Sequence, residues 1–216
     1  MLEELREKVV VLAKEMLTRQ LTDGTSGNIS MIDRKSGAIV ITPSSMPYDS
    51  MTSDQICVLD QSGKKIEGTC KPSSEWRMHL AVFAARKDVA CVLHTHSRYS
   101  IALACTHTNL PAITVDMAAY CGSMAPVVPY RTPGTEELAS IVSQEFAKGH
   151  RALLLANHGS LVIGPDEAIT LEAAVALELA AMAFIRGYHV ARPVPIPQDE
   201  VNKLLELVYG ENTGAV

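Results

Sequence analysis

The chain has 216 residues, of which 47% are hydrophobic and 20% are charged. This composition is typical of a globular protein with a packed core, and it excludes a disordered or collagen-like chain. Because the formal net charge is -5 and the lysines and arginines are scattered, the sequence offers no basic patch for a nucleic-acid backbone. At this length we expect a single domain that spans residues 1–216.

Three further features bear on where the protein works. The longest apolar stretch, residues 171–185, contains two glutamates and is shorter than the roughly 20 residues that cross a bilayer, so we expect a buried helix and no membrane partner. The N-terminus opens with Glu3, Glu4 and Glu7 rather than with a secretory signal, so we expect a cytoplasmic protein. The five cysteines include no CxxC pair, and we interpret them as reduced packing residues.

Hydrophobic spacing gives the two halves of the chain different predicted elements. In the first twenty residues, apolar side chains at steps of three and four predict an amphipathic helix. Short β-type runs then predict antiparallel hairpins, with strands at residues 29–32, 38–41, 56–59 and 64–67. The second half predicts helices at residues 75–85, 97–106, 135–146 and 165–187, alternating with strands at residues 89–93, 127–130 and 152–156. This alternation predicts one mixed sheet covered by helices on both faces.

The strongest local signal for chemistry is a set of three histidines. His94 and His96 come directly after the apolar run 89–93, and side chains two apart on a strand point to the same face. A second apolar strand, at residues 152–156, is followed by His158 and then by a glycine that permits a tight turn. Three nitrogen ligands are the usual number for a catalytic divalent site with an open position. The sequence therefore predicts a metal site, with three unrelated surface histidines as the alternative.

Three loops rich in hydroxyl groups and glycine, at residues 24–28, 42–45 and 71–75, offer donors for an anion. The third loop precedes a predicted helix, whose N-terminus presents unpaired N–H groups and a positive dipole end. Singly, each loop is more typical of a solvated turn or a helix cap, but together they predict a phosphate cradle. Because neither Ser73 nor Ser74 has Glu or Gln three residues later, Glu75 is not in a capping box. The chain has no GxGxxG or GxxxxGK[ST] motif, which disfavours a Rossmann fold and a nucleotide-type phosphate loop.

Five motifs in chain order resemble those of the class II aldolase/adducin-like family, and within it the L-fuculose-1-phosphate aldolases. They read TSGN, ITP, KPSSE, HTH and NHG, at residues 25–28, 41–43, 71–75, 94–96 and 157–159. The match extends along nearly the whole chain. The resemblance implies a three-layer α/β/α fold around a mixed, mostly antiparallel sheet. It also implies a homotetramer with active sites between neighbouring subunits.

The same resemblance implies a role for each matching residue. His94, His96 and His158 are the expected zinc ligands, with another divalent ion such as Mn²⁺ or Co²⁺ as the alternative metal. Glu75 is the expected acid/base, which also binds the metal when substrate is absent. The positions at which the family holds the substrate phosphate are matched by Ser26, Gly27, Asn28, Thr42, Ser44, Ser73 and Ser74.

One position departs from the fuculose-phosphate aldolases. Those enzymes carry a tyrosine acid/base after a Pro-Ala-Ile segment, where this chain has Val115 followed by Asp116. Tyr120 is close enough in sequence to take its place, and Tyr209 matches the C-terminal tyrosine that those enzymes use. Ordinary packing is the alternative for both tyrosines.

The activity that the resemblance implies is the cleavage of a ketose 1-phosphate, such as L-fuculose 1-phosphate, into dihydroxyacetone phosphate and an aldehyde such as L-lactaldehyde. A divalent metal stabilises the charge left at C3, and since no lysine lies inside a predicted apolar strand, we prefer this route to a lysine Schiff base. Sugar-phosphate 4-epimerases and decarboxylases of 3-oxo-tetronate phosphates, in the same family, are alternatives. The epimerases resemble an Asp in place of Glu75, and the decarboxylases often have a Lys in place of Ser74. The three histidines argue against a metal-free, adducin-like interaction domain.

Overall fold

The computed structural model describes residues 2–210 of the chain. Within them the helices, α1 to α7 in chain order, are Leu2–Thr18, Trp76–Ala85, Arg98–Cys105, Val115–Cys121, Glu136–Ala147, Glu167–Gly187 and Gln198–Tyr209. The strands, β1 to β10, are Asn28–Ile32, Ile39–Ile41, Cys57–Leu59, Lys65–Glu67, Cys91–Thr95, Leu110–Pro111, Met124–Ala125, Val127–Val128, Ala152–Leu155 and Gly159–Gly164. Each helix and strand that the sequence predicts has a counterpart in this set.

The main sheet has eight strands in the order β4-β3-β2-β1-β5-β10-β9-β8. Its neighbouring strands are antiparallel except for β8 and β9, which are parallel. The strands β6 and β7 form a separate antiparallel pair. On β5, His94 lies opposite Asn28 of β1 on one side and Leu161 of β10 on the other. The predicted mixed and mostly antiparallel sheet is therefore confirmed, with His94 in its middle.

Helices cover both faces of this sheet. The larger core cluster joins α1, α3, α4, α6 and α7 to one face, through strand residues such as Cys91 and Leu93. The smaller cluster joins α2 and α5 to the other face, through Val92, Leu153 and Leu161. Because side chains alternate along β5, His94 points to the same face as Val92, towards α2. The three-layer α/β/α architecture is confirmed.

The longest helix, α6, lies in the larger cluster and was expected to be buried. By length and composition it is long enough and apolar enough to cross a membrane, and half of its most apolar segment is buried in the fold. Its inner face, which includes Ala173, Leu177 and Ala180, packs against the sheet. The expected buried helix is therefore present, with one face exposed.

The cysteines only partly match the expectation from sequence. All five are free, and Cys57, Cys91 and Cys121 are buried as packing residues. Cys105 is exposed at the end of α3, and Cys70 is half-buried. The packing interpretation therefore holds for three positions and is wrong for Cys105.

Candidate metal centre and active site

Three histidines from two parts of the sheet converge at one point. His94 lies on β5, His96 lies just beyond the end of β5, and His158 lies in the turn between β9 and β10. The Nε2 atoms of His94 and His96 are 3.0 Å apart, and those of His94 and His158 are 3.2 Å apart. One possible ligand atom from each residue lies within 4.8 Å of the others. The fold thus brings the three predicted ligands together, and we call them the histidine cluster.

The turn between β9 and β10 directs His158 towards the other two histidines. Asn157 makes this turn in a left-handed conformation with a φ of 57°, and its side-chain oxygen is 2.8 Å from His107 Nε2. The sequence argument assigns the turn to Gly159, whereas the structure places Gly159 at the start of β10. Glycine is required there for another reason, because a Cβ atom would lie 2.3 Å from the Thr95 carbonyl oxygen. The absence of a side chain at position 159 lets the two strand ends approach each other.

A hydrogen bond fixes which nitrogen of His94 faces the cluster. His94 Nδ1 lies 2.9 Å from the backbone carbonyl oxygen of Ser160. Since a carbonyl oxygen only accepts, Nδ1 carries the proton and donates it. In the neutral ring the lone pair is then on Nε2, which faces the other two histidines. Metal-binding histidines commonly bond a carbonyl or carboxylate through their outer nitrogen in this way.

Glu75 completes the cluster on the side of α2. It is the residue before α2, it is 7% exposed, and its side chain makes no capping bond to its own helix. Its Oε2 is 3.3 Å from His94 Nε2, and its Oε1 is 3.5 Å from His158 Nε2. Asn28 Nδ2 donates a 2.9 Å hydrogen bond to Oε2. The missing capping box noted in the sequence thus leaves this carboxylate to face the histidines.

Burial and mutual proximity shift the pKa values in the cluster. Burial and then the charge on His94 lower the pKa values of His96 and His158 to about 4. Burial also acts to lower the pKa of His94, but the Glu75 carboxylate outweighs it and raises that pKa. Burial acts to raise the pKa of Glu75, and the His94 and His158 imidazoles reverse this and lower it. These opposite shifts reflect the attraction between the Glu75 carboxylate and the buried imidazoles that face it.

The donor set fits a divalent metal ion. Among the described residues, two buried atoms of the cluster have no hydrogen-bond partner, Glu75 Oε1 and His158 Nδ1. A buried carboxylate oxygen without a partner is costly. Three Nε2 atoms 3.0 and 3.2 Å apart also leave no room for a proton on each. A divalent ion bound by three imidazole nitrogens and this carboxylate would give Oε1 a partner and would remove the need for protons between the Nε2 atoms.

The loops predicted to hold phosphate meet beside Glu75. Ser44 N donates a 2.9 Å hydrogen bond to the carbonyl oxygen of Lys71, and Ser73 N donates a 3.0 Å bond to that of Thr42. The second and third loops are therefore joined along their backbones. The third loop leads directly into Glu75 and the N-terminus of α2. The hydroxyl-rich loops and the metal-binding candidates thus form one site.

The first loop approaches the cluster through a glycine. Gly27 has a φ of 77°, and a Cβ atom there would lie 2.5 Å from the carbonyl oxygen of His94. The buried Tyr48 hydroxyl donates a 2.6 Å hydrogen bond to the carbonyl oxygen of Gly27. A side chain at position 27 would push this loop away from the end of β5.

The residues predicted to bind phosphate differ in how free their side chains are. The exposed or half-buried ones are Ser26, Gly27, Ser44 and Ser74, and the buried ones are Asn28, Thr42 and Ser73. Thr42 Oγ1 accepts a 3.1 Å hydrogen bond from the backbone of Ile29. The Asn28 carboxamide is bonded to Glu75. The side chains of Thr42 and Asn28 are therefore already engaged within the protein.

The two tyrosines are placed away from the histidine cluster of the same chain. The Tyr209 hydroxyl donates a 2.7 Å hydrogen bond to the carbonyl oxygen of Tyr120, and the Arg151 guanidinium stacks 3.6 Å from the centre of the Tyr209 ring. Arg151 directly precedes β9, whereas His158 follows its other end. A strand rises about 3.3 Å per residue, so the two ends of β9 are roughly 10 Å apart or more. Tyr120 packs against the larger core cluster, on the face opposite to His94.

Two residues to which the sequence assigns no role in the site also belong to this region. His79 lies one turn after Glu75 on α2, and Ser30 lies two residues after Asn28 on β1. His79 Nδ1 is 2.6 Å from Ser30 Oγ, and His79 Nε2 is hydrogen-bonded to Asn28 Oδ1. The spacing of four residues on a helix places His79 on the same face as Glu75, and the spacing of two on a strand places Ser30 on the same face as Asn28. The sequence contains both spacings, but their meaning becomes evident only once β1 and α2 are known to pack together.

Comparison with known proteins identifies the family. Residues 7–185 match the model of the class II aldolase and adducin N-terminal domain. The chain belongs to the class II aldolase and adducin family. The 5-deoxy-D-ribulose 1-phosphate aldolase of Bacillus thuringiensis serovar kurstaki is 33% identical over 210 residues, which cover 97% of this chain and 98% of the relative.

Two further matches support the same family. A 5-methylthioribulose-1-phosphate/5-deoxyribulose-1-phosphate aldolase of Escherichia coli O45:K1 is 37% identical over 94% of each chain. A solved structure of an L-fuculose 1-phosphate aldolase superposes with a TM-score of 0.90 at 32% identity, over 94% of this chain and 95% of that one. The resemblance drawn from the five sequence motifs is therefore confirmed, as is the fold that it implies.

Proposed function

We propose that the protein is a divalent-metal-dependent aldolase that cleaves a ketose 1-phosphate between C3 and C4. The products are dihydroxyacetone phosphate and an aldehyde; from L-fuculose 1-phosphate the aldehyde is L-lactaldehyde. The observation that carries this proposal is the convergence of three histidine Nε2 atoms and the Glu75 carboxylate beside loops lined with hydroxyl groups. A metal site next to an anion site is the arrangement that such a substrate requires.

His94, His96 and His158 would hold the metal, which is zinc in our proposal, with Mn²⁺ or Co²⁺ as possible substitutes. When bound, the ion supplies Lewis-acid stabilisation of the negative charge that develops when the C3–C4 bond breaks. The Ser160 carbonyl keeps the His94 lone pair on Nε2, and Gly159 allows the two strand ends to approach. The three Nε2 atoms would therefore bind the metal ion with little rearrangement of the protein.

Glu75 would carry the proton of C3. In the aldehyde-addition direction the ionised carboxylate takes a proton from C3 of dihydroxyacetone phosphate before the bond to C4 forms. In the cleavage direction the carboxyl group, after taking up a proton from water, gives it to C3 once the bond to C4 has broken, and the proton lost by the C4 hydroxyl goes to a separate acceptor. Oε1 is the atom for this step, because Asn28 already binds Oε2 while Oε1 is buried without a partner among the described residues. The carboxylate can also bind the metal when substrate is absent.

The C1 phosphate would lie on the loops in front of α2. Ser73 and Ser74 precede the helix, and a helix N-terminus favours an anion through its free N–H groups and dipole. Ser26, Gly27 and Ser44 would line the cradle with these two serines. Asn28 and Thr42 would hold its loops in place, because their side chains and the Thr42 N–H are already hydrogen-bonded within the protein. No arginine lies within these loops and Lys71 is their only cationic residue, so the phosphate would be held mainly by hydroxyl and N–H donors.

The proton of the C4 hydroxyl needs a separate acceptor. Tyr209 and Tyr120 are our candidates, and in one chain they lie at the far end of β9 from His158. We therefore propose that they act at the active site of a neighbouring subunit within a homotetramer.

We also propose that residues 1–216 form one domain and that the enzyme is cytoplasmic; residues 1 and 211–216 lie outside the described part of the chain.

The aldehyde half of the substrate is the open choice within this proposal. One candidate is L-fuculose 1-phosphate, supported by the similarity to a solved L-fuculose 1-phosphate aldolase. The other is 5-deoxyribulose 1-phosphate, supported by a relative of that specificity that matches 97% of the chain. Both are ketose 1-phosphates, so the same phosphate and metal sites serve either one.

The test is a substrate panel. Zinc-reconstituted protein is incubated with both ketose 1-phosphates, with their phosphate-free sugars and with a 3-oxo-tetronate phosphate, and release of dihydroxyacetone phosphate is measured before and after chelation. We expect release from at least one ketose 1-phosphate, lost on chelation and restored by metal. Release of carbon dioxide from the tetronate phosphate without cleavage of any ketose 1-phosphate would contradict the proposal. Equal turnover of a phosphate-free sugar would contradict the cradle.

A further inference from the structure

A buried polar chain runs from the core of the protein to the proposed proton carrier. It begins at Ser30 on β1, passes through His79 on α2 and Asn28 at the start of β1, and ends at Glu75. Ser30 and His79 are both 0% exposed, and Asn28 is 4% exposed. These three side chains are therefore shielded from water. We call this series of hydrogen-bonded side chains the Ser30–Glu75 relay.

Each hydrogen bond in the relay has only one possible direction. A carboxylate only accepts, so Asn28 Nδ2 is the donor in its 2.9 Å bond to Glu75 Oε2. The other end of the same carboxamide is then Oδ1, an acceptor, so His79 Nε2 must donate to it. In a neutral ring, His79 Nδ1 is then an acceptor, and the Ser30 hydroxyl, 2.6 Å away, donates to it. The tautomer of His79 thus determines which way the Asn28 carboxamide points.

The surroundings of His79 keep its ring neutral. Burial, together with the charge on His94, lowers the pKa of His79 to about 3, against a smaller opposing effect of Glu75. His79 is also separate from the metal-binding candidates, because the described cluster contains only His94, His96 and His158. Its role is therefore that of a hydrogen-bond donor rather than that of a ligand or a charge.

We propose that His79, oriented by Ser30, is a positioning residue that holds the Asn28 carboxamide in the one orientation that donates to Glu75. Without the donor at His79 Nε2, the carboxamide loses the partner of its oxygen and can rotate by half a turn. Oδ1 would then face Glu75 Oε2, two acceptors in contact, and the carboxylate would turn away. The relay thus binds Oε2 and leaves Oε1, which lies 3.5 Å from His158 Nε2, free for proton transfer beside the proposed metal site. This inference rests on the proposed function, in which Glu75 carries the C3 proton.

The experiment follows proton exchange at C3 of dihydroxyacetone phosphate in heavy water, by proton NMR, with zinc-reconstituted protein. This half-reaction needs no aldehyde and reports the step assigned to Glu75. The variants are His79→Leu, which removes the donor, and His79→Gln, whose amide can donate from nearly the same place. Val82→Ala is the matched control, since Val82 is equally buried on the same helix and lies outside the relay.

We expect His79→Leu to slow exchange by at least about tenfold. This is less than the hundredfold or more that a general acid/base contributes, because Glu75 is still present but misplaced. The loss should be in kcat, with KM and zinc content close to those of the wild type. His79→Gln should recover most of the rate. Val82→Ala should lower the melting temperature but keep the wild-type exchange rate. If His79→Leu is folded and exchanges at the wild-type rate, or if His79→Gln is as slow as His79→Leu, the inference is wrong.

Two additional measurements keep the test decisive. A crystal structure of His79→Leu in which Asn28 Nδ2 still donates to Glu75 Oε2 would overturn the inference whatever the exchange rate. If His79→Leu does not fold, Ser30→Ala takes its place, because removing that hydroxyl frees His79 to adopt the other tautomer. Unchanged exchange in Ser30→Ala would also overturn it. An absence of exchange in the wild type would instead contradict the proposed aldolase function.

Discussion

The two ends of β9 differ in how completely one chain builds its surroundings. At the end that leads to His158, three imidazoles, one carboxylate and the hydroxyl-rich loops lie together. At the other end, Tyr209 is stacked on Arg151 and hydrogen-bonded to the Tyr120 carbonyl oxygen. The first end thus brings the residues proposed to bind metal and phosphate together within a single chain. Because Tyr209 and Tyr120 lie at the second end, they would have to act in the active site of a different subunit to take part in the proposed cleavage.

The largest effect is expected from His158→Ala, at the end of β9 where the histidines, Glu75 and the hydroxyl-rich loops lie together. We call this the complete end. This change removes one of three nitrogen ligands and should abolish both zinc binding and activity, while the protein stays folded because His158 lies in a turn rather than in the core. Elemental analysis after reconstitution, with circular dichroism, measures both. His189→Ala, at an exposed histidine outside the cluster, is the control and should keep its metal. Full zinc content in His158→Ala would show that His158 is not a metal ligand.

The next effect is that of Glu75→Gln. This variant keeps the size of the side chain but cannot carry a proton, so we expect a loss of at least about a hundredfold in kcat with the fold and most of the metal retained. Steady-state kinetics and zinc analysis test it, with Glu137→Gln on the exposed side of α5 as the control. Activity within about tenfold of the wild type would move proton transfer to another group, and Asp116 or Tyr120 would be the next candidates.

A smaller effect is expected at the phosphate cradle. Ser73→Ala with Ser74→Ala should weaken substrate binding by about 1–3 kcal/mol for each lost bond to the phosphate. The change should appear mainly as a higher KM, because the phosphate is remote from the breaking bond and is held in ground and transition states alike. Ser74→Ala alone sharpens the test, since Ser73 Oγ also accepts a hydrogen bond from Glu75 N. With an unchanged KM in the double variant, the cradle would have to lie elsewhere.

The smallest effect is expected at the other end of β9, from Tyr209→Phe. Removing the hydroxyl breaks its bond to the Tyr120 carbonyl and should lower the free energy of unfolding by about 1 kcal/mol. If Tyr209 also serves the active site of a neighbouring subunit, kcat should fall too, by less than in Glu75→Gln. Tyr120→Phe is the control for stability, because only the backbone of Tyr120 accepts this bond. Unchanged kcat in Tyr209→Phe would limit that residue to a structural role.

The same contrast describes how much could be predicted from the sequence. The residues of the complete end occur in short motifs directly after apolar runs, so strand alternation alone already places His94 and His96 on one face. The sequence does not predict β10, which has glycine at both ends, or α4, which is too short to show a helical period. It also does not predict α7, which carries Tyr209. The relay through His79 was not predictable, because it joins residues 47 to 51 positions apart through the packing of α2 on β1.

The most direct test of the central claim is an anomalous diffraction map of zinc-reconstituted crystals, measured at the zinc absorption edge. The account predicts one strong peak per chain, about 2.0–2.1 Å from the Nε2 atoms of His94, His96 and His158, and within reach of Glu75. A fully reconstituted crystal with no peak among these three histidines, or with its zinc bound elsewhere on the chain, would contradict it.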